Sequence, residues 1–252
     1  MSAYLLVGVG VGLGLLMGLM GGGGGIVAVP VLLALGLTVD AAATTSLVVV
    51  AIGATAGLAT HARSGRVDWS IGALFGVLGA AGAVLGSRLA FVVDDRVQLW
   101  LFCALLVVAG LAMLRPAVDD GRPDDAPLPD PNWARVIALA SVVGVTTGFF
   151  GVGGGFIAVP ALVLALRMPM RRASATALLV ILVNATVAFF AHGVERVDLT
   201  VALTIAAATA AAAIAGALIQ PHVPERGLRR AFGVLLLLVA GYEIVRLVTG
   251  HA

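Results

Sequence analysis

Apolar residues are gathered into runs of spanning or near-spanning length, at about 3–20, 26–39, 41–61, 69–92 and 97–114, then at about 135–150, 156–166, 173–192, 198–219 and 229–248. Segments this apolar belong in a bilayer. The pattern predicts an all-α polytopic integral membrane protein with ten segments in two sets of five. Between the sets, residues 115–134 hold Pro116, Pro123, Pro127, Pro129 and Pro131 with five aspartates, a composition that reads as a solvated linker. The expected organisation is a first repeat over 1–114, the acidic Pro-rich linker over 115–134 and a second repeat over 135–252.

The two sets are copies of one another. Gly21–Val31 reads GGGGGIVAVPV and Gly151–Ala161 reads GVGGGFIAVPA, seven identities in eleven positions at an offset of 151 − 21 = 130. The same offset pairs Arg66-Val67-Asp68 with Arg196-Val197-Asp198, Gly86 with Gly216 and Phe102 with Phe232. An internal repeat held in one register over that distance is a duplication.

The second segment of each half is short. Twelve helical residues cover about 18 Å against a hydrocarbon core of roughly 30 Å. A glycine run before such a helix and a proline within it suit a helix pair broken inside the membrane. Arginine placement tests the topology. If all five segments of a half cross, eleven arginines fall on one face and four (Arg88, Arg96, Arg196 and Arg246) on the other, accounting for all 15. If the broken pair counts as one passage, giving eight spans and parallel repeats, the short loops divide almost evenly. The positive-inside rule prefers five plus five. An odd number inverts the second repeat, with both termini extracytoplasmic and the linker cytoplasmic.

Composition narrows the chemistry. The chain is 61% hydrophobic and 11% charged, and all 15 basic residues are arginines scattered over loops, which argues against nucleic acid. The single cysteine, Cys103, lies in an apolar run and cannot form a disulfide within the chain. The residues before Tyr4 carry no basic group, so the first helix is expected to be retained. There is no P-loop, no HExxH, no acidic residue at mid-span and no pattern calling for a metal or cofactor, so an enzyme is not expected.

The glycine runs are the first candidates for a binding site, because they free backbone N–H groups at a helix start, where partial positive charge suits an anion. These are Gly21, Gly22, Gly23, Gly24 and Gly25, with Gly151, Gly153, Gly154 and Gly155. Tight helix packing is the competing role for such glycines. Pro30 and Pro160 leave carbonyls near Ile26 and Phe156 unpaired, or simply shape a kink. Small polar residues follow: Thr44, Thr45 and Ser46 in the first half, Ser174, Thr176 and Asn184 in the second. Thr44 and Ser46 correspond to Ser174 and Thr176 at the offset, although hydroxyls in membrane helices commonly bond back to their own helix. Asn184 corresponds to Ala54, and a mid-span asparagine needs a partner from a ligand or a neighbouring helix. His61 and His192 end the third segment of each half and are expected at the interface rather than in a proton relay.

GGGGGIVAVPVL and GVGGGFIAVPALVL, one per half of an apolar chain of 252 residues, resemble the sulfite exporter TauE/SafE family of membrane permeases. The resemblance covers essentially the whole chain. It implies a multi-pass protein of a bacterial cytoplasmic membrane that moves sulfite, sulfoacetate or a related organosulfonate. Its motif residues map to Gly21–Gly25 with Pro30, and to Gly151, Gly153–Gly155 with Pro160. Val152 interrupts the second run, so the copies need not contribute equally. Taken with the residues, the resemblance points to a secondary transporter working by alternating access between the repeats. The partners expected are a small anion, the bilayer, a coupling ion such as a proton or sodium, and a second copy in a homodimer. An anion channel and a non-transporting subunit that docks a partner are the competing readings.

Overall fold

The computed structural model describes residues 3–90, 92–115, 132–150, 155–192 and 199–249. Its elements are α1 (Ala3–Met20), α2 (Gly23–Ala34), α3 (Val39–Arg63), α4 (Trp69–Ala90), α5 (Asp95–Leu114), α6 (Trp133–Phe150), α7 (Gly155–Pro160) continued by a π turn (Ala161–Ala165), α8 (Met170–His192), α9 (Leu199–Ile219) and α10 (Glu225–Thr249). Residues 116–131 of the linker, and Gly151, Gly153 and Gly154, lie outside the described residues. Among the described residues, seven helices are long and apolar enough to cross a membrane: α3, α4, α5, α6, α8, α9 and α10. Shorter apolar helices form at α1, α2 and α7 with its π turn. The chain is a multi-pass membrane protein. Its outer face agrees with that, since Val77 is 64%, Leu218 61% and Val248 73% exposed, apolar surface that lipid accepts and water does not.

The helices meet through glycines, as expected where lipid removes any hydrophobic drive between them. Along α1, Gly10 faces Ile205 and Ala208, Gly14 faces Thr209 and Ala212, and Gly18 faces Ala213 and Ala217, so α1 and α9 run parallel. A methyl group on Gly18 would lie 2.2 Å from the Ala213 carbonyl oxygen. The seam of α4 and α6 is equally close: a methyl on Gly148 would lie 2.0 Å from the Ala83 oxygen, and one on Gly144 would lie 2.7 Å from that of Gly79. That pair is parallel too. Gly72, Gly76 and Gly79 of α4 step along Leu179, Val183 and Asn184 of α8, and Gly53 and Gly57 of α3 step along Thr209 and Ala213 of α9. By contrast α5 and α10 are antiparallel. Leu237 and Gly233 reach Gly110, while Arg229 donates to the carbonyls of Met113 and Ala112 at 3.0 and 3.1 Å.

The first glycine run reverses the chain. Gly21 adopts φ +72° and its N–H donates to the Met17 carbonyl at 2.8 Å, a left-handed stop that glycine takes without strain. After Gly22, α2 folds back along α1: Gly24 lies against Met17 and Leu13, and Val27 and Val31 share an apolar crevice with Val9, Gly12 and Leu16. A second reversal at Gly36, φ +89°, leads into α3, where the Thr38 hydroxyl accepts from the Ala41 N–H at 3.4 Å as N-cap. With 12 residues, α2 covers about 18 Å, from a buried start at Gly23 to an exposed end at Ala34.

Candidate functional site

The tip of this hairpin meets the start of α7. A methyl on Gly22 would lie 2.1 Å from the Gly155 carbonyl oxygen, and one on Gly21 would lie 2.4 Å from that of Ser174. Two broken helices and the first turns of α8 thus touch backbone to backbone. Gly21–Gly24, Gly155, Thr44, Thr45, Ser46, Ser174 and Thr176 are all buried.

Within the first run, the glycines divide by what surrounds them. Gly21 is held by its positive φ, and Gly22 and Gly24 by backbone atoms, since a methyl on Gly24 would lie 2.7 Å from the Leu13 carbonyl oxygen. Gly23 is crowded by the flexible end of Leu235 and meets Leu16 at ordinary contact distance. Gly25 is different: its nearest neighbour would be Val50 Cγ1 at 4.0 Å, ordinary contact. Packing therefore accounts for most of the run and leaves Gly25 unexplained. No side chain caps the start of α2, so its first N–H groups remain available in a setting where partial positive charge favours an anion.

Most of the hydroxyl protons are already used. Thr44 donates to the Ala41 carbonyl at 3.4 Å, Ser46 to Ala43 at 2.7 Å and Ser174 to Met170 at 2.6 Å, each within its own helix. Thr176 accepts from the Asp68 N–H at 3.1 Å and so fixes the start of α4. Ser46 and Ser174 can accept a hydrogen bond from a ligand but have no proton left to give, whereas Thr176 keeps its own hydroxyl proton. Two residues are unpaired: Thr45 Oγ1 and both polar atoms of Asn184 have no hydrogen-bond partner among the described residues. Asn184 is not in contact with the α2 tip; it sits in the seam of α4 and α8 beside Gly79. Pro30 also stands apart, lining an apolar crevice of about 340 Å³ with Leu235 and Tyr242 of α10, whereas Pro160 is buried.

Breaking α1 leaves its last carbonyls without helical partners. Gln220, fully buried after α9, donates from Nε2 to the Leu19 carbonyl at 2.8 Å, and His61 Nε2 lies 3.0 Å from that of Gly18. Arg66 joins them, donating to Gln220 Oε1 at 3.4 Å, the same distance at which it lies from His61 Nδ1. His61, expected at the interface, is completely buried. It caps a helix end that exists only because the chain turns at Gly21. On the other side, the Gln98 amide donates to the Phe149 carbonyl near the end of α6. Neither glutamine was a sequence candidate. The available signal was a lone amide beside an apolar run, as in Ile219-Gln220-Pro221.

Comparison with known proteins fits this architecture. The family model for the sulfite exporter TauE/SafE matches residues 6–242. The chain belongs to that family. A probable membrane transporter protein of Xylella fastidiosa (strain Temecula1) is 34% identical over 208 residues, covering 80% of this chain and 78% of the relative. The probable membrane transporter protein YunE of Bacillus subtilis is 26% identical over 221 residues, covering 81% and 80%. No solved structure matches the chain. This TauE/SafE protein is a membrane transporter, and the buried meeting of its broken helices is the place where a cargo site has to be sought.

Proposed function

We propose that this protein is a secondary transporter of a small sulfur-containing anion, sulfite or an organosulfonate, and that it works by alternating access between two inverted five-helix repeats. The observation that carries the reading is the junction of Gly22 with Gly155, where backbone ends of two broken helices meet in the buried interior. Broken helices at repeat interfaces are how transporters place polar backbone inside a membrane. The cargo lies at that junction, walled by Gly21–Gly25 and Gly155, by Thr44, Thr45 and Ser46, and by Ser174 and Thr176, with Pro30 and Pro160 shaping the short helices. A neutral lining suits an anion that must also be released.

The inverted duplication is supported by contacts that recur at the 130-residue offset. Gly18 meets Ala213 while Gly148 meets Ala83, and Gly216 meets Leu15 and Leu19 while Gly86 meets Val145 and Phe149. Since 148 − 18 and 213 − 83 are both 130, each seam is the other with its halves exchanged. Antiparallel packing of α5 on α10 favours five crossings per half over four, because parallel repeats would make that pair parallel. Arginine asymmetry then puts the linker in the cytoplasm.

The test is reconstitution. Purified protein in liposomes is expected to show saturable flux of labelled sulfite or a sulfonate, and a protein inert to a broad anion panel refutes the reading. Unitary currents far above transporter turnover would make it a channel instead.

A further inference from the structure

Asn184 is a membrane-buried carboxamide with nothing to bond to. It is 7% exposed, and neither Oδ1 nor Nδ2 has a partner among the described residues. Other buried polar side chains are bonded, Thr147 donating to Val143, Thr209 to Gly10 and Gln220 to Leu19, and among the small polar candidates only Thr45 Oγ1 shares the unpaired state. An amide left unpaired in a dry interior is destabilising, and its retention asks for a reason.

Three observations say what the reason is. Asn184 follows Ile181 by one turn of α8, and Ile181 Cδ1 would lie 2.3 Å from a methyl on Gly155, so Asn184 is one helical turn along α8 from the residue that packs on the start of α7. Gly79 of α4 leaves room for it, since a methyl there would lie 3.3 Å from Oδ1 and 3.4 Å from Nδ2. The fold does not need the amide, because at the 130-residue offset the position is Ala54, packed at zero exposure.

We propose that Asn184 is the side chain that reads the cargo, donating from Nδ2 to an oxyanion oxygen and accepting at Oδ1 from a hydroxyl or amino group on the same ligand. This rests on the transport reading above and deepens it. A neutral amide with donors and an acceptor side by side selects an oxyanion that also bears a proton on oxygen or nitrogen: hydrogensulfite, or a sulfonate with a hydroxyl or amino group. A halide or a plain alkanesulfonate leaves Oδ1 unpaired. Hydrogen-bonding sites discriminate through the group they leave unsatisfied.

The experiment compares wild type with Asn184→Ala, the residue of the other half, by thermal unfolding of the full chain in detergent. The probes are hydrogensulfite, 2-hydroxyethanesulfonate, ethanesulfonate and chloride. Wild type is expected to be stabilised by the first two and to bind 2-hydroxyethanesulfonate more tightly than ethanesulfonate. Asn184→Ala is expected to keep the ligand-free midpoint, to lose about 10–100-fold in apparent affinity for these oxyanions and to treat the two sulfonates alike. Asn184→Leu, which fills the space without polar atoms, gives the same readout if the alanine variant does not fold. A lower ligand-free midpoint in both variants with undiminished anion response makes Asn184 structural and overturns the proposal alone. A wild type indifferent to every anion overturns the transport reading with it.

Discussion

Substituting one glycine on each face of α1 tests whether the helix seams are as close as they look. A methyl on Gly18 would sit 2.2 Å from the Ala213 carbonyl oxygen and 2.8 Å from the Ala217 nitrogen, against about 3.4 Å for ordinary contact, so α1 and α9 must separate by about 1 Å. Neither neighbour can yield, because both are helix backbone. The whole seam moves with them, and Gly10 and Gly14 lose their contacts too. Overpacking of this kind destabilises by about 1–3 kcal/mol. Gly12, on the same helix, has nothing within 4 Å of a methyl. Gly12→Ala should leave stability unchanged or raise it by up to about 1 kcal/mol through helix propensity. Thermal unfolding of both variants in detergent, followed by loss of monodisperse protein, measures the contrast. Gly18→Ala is expected to lower the midpoint by several degrees while Gly12→Ala does not. Equal behaviour of the two would refute the idea that glycine is there for close approach.

Gly148→Ala, whose methyl would lie 2.0 Å from the Ala83 oxygen, should lower the midpoint about as much as Gly18→Ala if the two seams are copies, and a tolerated Gly148→Ala would undo that equivalence. Gly25→Ala meets nothing closer than 4.0 Å, so it should fold normally yet lose flux in liposomes; full flux would remove Gly25 from the site. Gln220→Leu strips the cap from Leu19 and should destabilise by about 1–3 kcal/mol, read as a lower unfolding midpoint. With Cys103 replaced, a single cysteine placed within residues 115–134 should react with impermeant maleimide only from the cytoplasmic side, and labelling from outside would reverse the proposed topology.

The sequence alone determined the membrane class, the position of nearly every helix and the offset of 130, because long apolar runs and repeated motifs are local properties of the chain. It also marked the glycine runs and the small polar residues near them. What it could not decide is which glycines pack and which stand open, since that depends on atoms far along the chain: Gly22 against Gly155, Gly21 against Ser174, Gly25 against almost nothing. The same holds for the polar groups. Hydroxyls that look alike in sequence divide into those already bonded, such as Ser174 and Thr176, and the unpaired Thr45 and Asn184. His61 and Gln220 acquire their roles only when the broken end of α1 arrives beside them. A helix end inside a membrane must be satisfied by whatever the fold brings near, and that proximity is a tertiary fact.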